Sequence, residues 1–315
     1  MNRLVALFCA SCAAGALAQP AQQLARERCA TRLAGNLTGR TPREVLDGGL
    51  LAAPSPQDLA PALLETPLFV ERFSNYSNAE FNIDRADFPQ QEASLYLARK
   101  VLTERKPWRD LFLGRYVFLP AAGNQTQQQR LASLRLPPDI REFAADAGVG
   151  LGYFGSPEWR TRYAGNEAEG FRLVHAYRVL NNVIGLRLAA AVNTDGVNAA
   201  GRQAASCAGC HYRPDFGLDL VARVLPLRNR VLPADAPQTL LNGQVIANER
   251  ELLERLVASP NFTFNACRLA IRFATGRPEY ACEGPVFDAC MQAFQQTGSM
   301  QSALQAITQH PSFCQ

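Results

Sequence analysis

The chain has 315 residues, 47% hydrophobic and 19% charged, with a formal net charge of +4. That length suits one large domain or two modest ones. The positive balance is too weak and too dispersed to argue for nucleic acid, since no basic run exceeds two residues. Neither a phosphate-binding glycine loop nor a nucleophile elbow is present.

The N-terminus reads as an export signal over residues 1–18. Met1-Asn2-Arg3 is a short basic start, residues 4–17 are apolar and small, and Ala16-Leu17-Ala18 before Gln19-Pro20 forms an A-x-A cleavage site. The apolar stretch is too short to span a bilayer. Neither Cys9 nor Cys12 follows the small apolar residues that a lipoprotein cut needs. The later apolar run 183–192 is interrupted by Arg187 and reads as a buried helix. The expectation is a soluble periplasmic or secreted product without a membrane anchor.

Residues 19–150 form a predicted N-terminal helical region, with apolar residues recurring at three and four. Pro42, Pro54, Pro56, Pro61 and Pro67 break it into short helices, followed by a longer helix through 95–102. The polar, uncharged run 123–129 reads as an exposed loop. Residues 151–315 form a second helical region. A helix-start device recurs at Thr66-Pro67-Leu68-Phe69, Ser156-Pro157-Glu158-Trp159 and Ser259-Pro260-Asn261-Phe262. There Thr or Ser caps, Pro takes the first helical position, and the aromatic docks on the core. His310-Pro311-Ser312-Phe313 is a looser fourth copy. In the helix predicted over 171–186 the apolar stripe is Leu173, Tyr177, Leu180 and Ile184, which leaves His175 beside Arg178 and Asn182 on the other side, either in solvent or facing a cofactor.

Cys207-Ala208-Gly209-Cys210-His211 carries the chemistry. C-x-x-C-H is the attachment signature of a c-type haem. Two thiols three residues apart on one turn can each form a thioether to a vinyl group of one porphyrin. The histidine that follows supplies the proximal imidazole to the iron. A thioredoxin-type redox pair usually opens a helix after a strand, and the Ala-rich run 188–205 is not a strand. A zinc site needs four ligands, and neither a second C-x-x-C nor an H-x₃₋₅-H exists. One covalent haem c on Cys207 and Cys210, with His211 proximal, is expected.

Seven of the nine cysteines lie beyond the leader. Apart from the haem pair they are Cys29, Cys267, Cys282, Cys290 and Cys314, and an oxidising compartment favours pairing. Residues 262–275, 285–296 and 300–309 read as three helices joined by short turns, so consecutive ones run antiparallel. Cys267 and Cys290 fall inside facing helices, whereas Cys282 and Cys314 fall at one end. The pairing expected is Cys267–Cys290 with Cys282–Cys314, which leaves Cys29 single.

Leu241-Asn242-Gly243-Gln244, Glu251-Leu252-Leu253, Ser259-Pro260-Asn261-Phe262, Cys267 and Phe273-Ala274-Thr275-Gly276-Arg277-Pro278 together resemble the C-terminal module of planctomycete-type cytochrome c proteins. The stretches 63–72 and 105–111 resemble that family's helical region more loosely. In the family an Asp-containing turn follows the C-x-x-C-H, as His211…Asp215-Phe216-Gly217 does here. The departure is that Pro214 precedes Asp215 instead of following it. The resemblance implies a mostly helical, exported monohaem cytochrome and supplies no substrate.

The side chain opposite His211 decides function, because a filled sixth position makes an electron carrier and an open one permits O₂ or peroxide chemistry. His175, Met291 and Met300 are the candidate distal ligands, with both methionines on core-like stripes. His310, before Pro311, reads as a helix C-terminal charge partner. The expected function is single-electron transfer with an unidentified redox protein, a carrier ahead of a catalyst. The alternatives are an oxidase- or peroxidase-like haem enzyme and an interaction protein with a structural haem.

Overall fold

A computed structural model describes residues 4–45, 53–82, 84–119, 126–143, 151–165, 167, 170–188, 198–213, 216–227, 237–280 and 283–314. The fold is mostly α, as expected. The chain opens with α1 (Leu4–Thr38), α2 (Pro42–Val45), α3 (Ala60–Leu64), α4 (Pro67–Phe81), α5 (Ala93–Thr103) and α6 (Asp110–Leu113). Strand β1 (Tyr116–Leu119) pairs antiparallel with β2 (Asp139–Glu142), on either side of α7 (Gln127–Leu134). Next come α8 (Pro157–Arg162), α9 (Leu173–Ile184), α10 (Ala199–Arg202), α11 (Ala205–His211) and α12 (Leu218–Val224). A hairpin of β3 (Gln238–Leu240) and β4 (Gln244–Ile246) leads into α13 (Glu249–Ala258), α14 (Pro260–Thr275), α15 (Gly284–Thr297) and α16 (Met300–Gln309). No helix among the described residues is long and apolar enough to cross a membrane.

The helix-start device works at two of its three full copies. Thr66 accepts from the Phe69 N–H at 3.2 Å and Ser156 from the Trp159 N–H at 3.3 Å. Ser259 makes no such bond, because its hydroxyl donates backward to the Leu256 carbonyl at 2.7 Å. In every copy the aromatic is buried: Phe69, Trp159, Phe262 and Phe313 all lie in the core. The run read as an exposed loop instead starts a helix, because Thr126 and Gln129 form a capping box at the head of α7. Residues 120–125 lie outside the described residues.

One continuous core spans both predicted regions, from Leu33 to Phe313. Its joints are aromatic. Phe73 of α4 meets Phe273 of α14 edge-on at 4.8 Å, and Phe112 of α6 meets Phe262 at 5.8 Å. Burying each such ring contributes about 1.5–3 kcal/mol, and these contacts join residues on either side of position 150.

Two expectations are corrected. Cys267 and Cys290 are bonded across α14 and α15, as the helix pattern implied. Cys314, however, pairs with Cys29 on α1 and not with Cys282, which lies outside the described residues. The cause is tertiary. α1 lies against the C-terminal turn, where Arg32 donates to the Phe313 carbonyl at 2.8 Å and its guanidinium covers the Phe313 ring. A separation of 285 residues left no local trace of that contact. The second correction concerns α9, whose buried face includes His175, Ala176, Val179, Asn182 and Val183, while Leu173, Tyr177 and Ile184 are only partly buried. His175 is therefore not solvated. On that face Asn182 finds interior partners, donating to the Phe81 carbonyl at 3.1 Å and to the Tyr153 hydroxyl at 2.7 Å.

Candidate functional site

Three short helices carry the C-x-x-C-H segment. Asn198 opens α10 by accepting from the Gly201 N–H at 2.8 Å. α11 follows after two residues and buries none of its seven side chains. Cys207 is half-buried and Cys210 exposed, and neither is in a disulfide. His211 ends the helix. The chain then turns back at Gly217, where a side chain cannot fit: a Cβ would stand 2.6 Å from the Arg213 carbonyl and 2.9 Å from that of His211. This close return lets α12 bring Asp219 beneath the imidazole. Asp215, the acidic residue of the family resemblance, lies outside the described residues.

His211 Nδ1 and Asp219 Oδ2 are 2.7 Å apart. The Asp219 side chain is 1% exposed and that of His211 24%. Arg202 of α10, itself buried, grips the same carboxylate, with Nε 3.0 and 3.1 Å from its two oxygens and Nη2 3.0 Å from Oδ1. The Tyr212 hydroxyl donates to Oδ1 at 3.2 Å. Burial pushes the Asp219 carboxyl up, but hydrogen bonds from His211 and Arg202 outweigh it and hold the group below the ordinary Asp range. An ionised carboxylate only accepts, so Nδ1 of His211 carries a proton, and in the neutral ring Nε2 is then the nitrogen with the lone pair.

A metal-ligating histidine characteristically donates its other ring N–H to a carboxylate or carbonyl, which fixes tautomer and orientation. The donor set therefore suits a c-type haem: two thiols outside any disulfide on one exposed turn, and an imidazole held at Nδ1 so that Nε2 could face an iron. Among the described residues no group of three or more His, Cys, Asp or Glu side chains is gathered to hold a bare metal ion.

The three proposed distal ligands lie on other elements. α11 packs on α10 and α12, whereas Met291 and Met300 belong to α15 and α16, which pack on each other and on α14. Met300 is 1% exposed in the core, and Met291 is partly buried at its edge. His175 is walled by Trp159 and Phe154, with ring centroids 5.0 and 6.1 Å away. Its Nε2 is 3.6 Å from Glu249 Oε1, and neither ring nitrogen has a hydrogen-bond partner among the described residues. Burial, reinforced by Arg160 and Arg172, drives the His175 pKa well below the ordinary value. Burial raises that of Glu249 despite the ion pair with Arg160 at 2.6 Å. His310 bonds Ser312 through Nδ1 at 2.7 Å.

Asp219, Arg202 and Tyr212 were not singled out from sequence. A signal was available in Asp219, a lone acid in a helix whose Val221, Ala222 and Val224 are buried. No protein family, curated protein or solved structure matches the chain.

Proposed function

We propose that this protein is an exported monohaem c-type cytochrome, with haem bound through Cys207 and Cys210 and His211 as the proximal ligand, and that it exchanges single electrons with a protein partner. The observation that carries this reading is the exposed α11, which presents both thiols and an imidazole tethered at Nδ1 by a buried carboxylate. A bound haem would supply the one-electron couple, and the chain's part is to orient the ligand and exclude competing chemistry. The export-type N-terminus supports a periplasmic or secreted address.

One observation favours haem-dependent peroxide or O₂ chemistry as a second reading. Asp219 makes His211 a more electron-rich ligand, and strongly donating proximal ligands favour O–O cleavage. Absorption spectra of the purified oxidised and reduced protein, followed by peroxide addition, separate the two. A low-spin spectrum with no peroxide turnover is the expected result. A high-spin ferric spectrum with rapid turnover would replace the carrier by the enzyme.

A further inference from the structure

We infer that Asp219 is a positioning residue that fixes the ring of His211 and, as a buried anion, holds the haem's reduction potential down, with Arg202 setting how much of that charge the iron feels. This deepens the haem reading and rests on it.

The geometry supplies the first reason. The 2.7 Å contact leaves His211 little freedom to rotate, and the carboxylate and the arginine that grips it come from the helices on either side of α11 in the chain: Asp219 from α12 and Arg202 from α10. The ring is thus oriented by the fold on both sides of the thiol pair. Gly217 is shaped to that purpose, since any side chain there would push α12 away from the His211 carbonyl.

Charge supplies the second reason. A backbone carbonyl would orient the imidazole equally well, but it carries no net charge. Asp219 is 1% exposed, so water screens its charge poorly and its field reaches the ring's far nitrogen with little loss. The ferric centre holds one more positive charge than the ferrous centre. An adjacent anion and a more basic imidazole both favour the ferric form, which lowers the potential. Arg202 opposes this with a buried positive charge on the same carboxylate. A buried Asp–Arg pair is weak evidence for stability alone, because desolvation consumes much of its attraction and apolar residues would pack as well. Tuning gives the pair a reason to be ionic.

The test is a redox titration of the haem-loaded protein and of Asp219→Asn and Arg202→Gln. The two substitutions should move the midpoint in opposite directions, upward for Asp219→Asn and downward for Arg202→Gln. The expected upward shift is at least tenfold in the reduction equilibrium, or about 59 mV for one electron. Simple loosening of the site would move both the same way. Covalent haem retained in both variants, with midpoints unchanged or displaced in the same direction, would overturn the inference. Should Asp219→Asn fail to mature, NMR of the unaltered ferrous protein decides. A His211 Nδ1 proton in slow exchange with water supports the tether, and one exchanging as fast as that of a free imidazole overturns it. Absence of covalent haem from the unaltered protein would instead reject the cytochrome reading.

Discussion

His211 and His175 each stand beside a carboxylate that is gripped by an arginine, yet the two groups behave oppositely. Around His211 the acid is within hydrogen-bond distance, 2.7 Å, and the ring is partly exposed. Around His175 the acid is 3.6 Å away, the ring is fully buried, and both nitrogens lack partners among the described residues. Residue type does not distinguish the sites. Desolvation and reach do. The first arrangement keeps an ionised acid hydrogen-bonded to the ring, while the second favours neutral forms of both side chains.

The comparison breaks most visibly by substitution of the two histidines. His211→Ala should abolish accumulation of haem-loaded protein, read as loss of the haem absorption band per mole of chain, because attachment and folding are coupled through the ligand. His175→Phe should keep the haem and its spectrum. A change to high-spin on His175→Phe would assign His175 to the iron after all.

The staples come next in size. α14 packs on α9, so Cys267–Cys290 supports the His175 side of the molecule. Its sequence separation is 23, against 285 for Cys29–Cys314. On loop entropy the short staple contributes about 3.4 kcal/mol and the long one about 5.6 kcal/mol. Denaturant titration of Cys290→Ser and Cys29→Ser should therefore rank the second as the more destabilised, with haem attachment intact in both. Equal losses would show that the two bridges act on native packing rather than on the unfolded chain.

Acid sharpens the contrast further. His175 has its folded pKa depressed below the unfolded value, so the unfolded chain binds the extra proton as pH falls. Stability attributable to this ring is complete above about pH 6.5 and is lost below it at up to about 1.4 kcal/mol per pH unit. Glu249, raised by burial, has the reverse sign: it favours the folded state at low pH and loses that contribution as pH rises through its folded pKa. Urea unfolding between pH 7 and pH 5 should show the histidine slope, and His175→Phe should flatten it. A slope unchanged in His175→Phe would place the acid sensitivity elsewhere. The smallest effect belongs to Tyr212→Phe, which removes one of the donors to Asp219 and should cost about 1 kcal/mol in denaturant midpoint analysis.

Much of this was legible in the sequence because it is local. Helices repeat at three and four, Thr66 and Ser156 announce their caps, and the spacing of Cys267 and Cys290 follows from two facing helices. The thiol–thiol–imidazole segment is legible for the same reason, since its chemistry lies within five consecutive residues. What escaped is tertiary. Cys29 meets Cys314 only because α1 lies against the C-terminal turn, and α9 buries His175 against Trp159 and Asn182 against Phe81, residues of other elements. Asp219 escaped because an acid in a predominantly apolar helix is not explained until Arg202 is seen to reach it from the other side of α11.

The mass of the purified chain, produced in a host that matures c-type cytochromes, tests the central claim most directly. The account predicts one haem per chain, retained after acid–acetone extraction, and a single haem-bearing peptide that contains Cys207, Cys210 and His211. A haem-free mass, or a modification that maps to another segment, would contradict it.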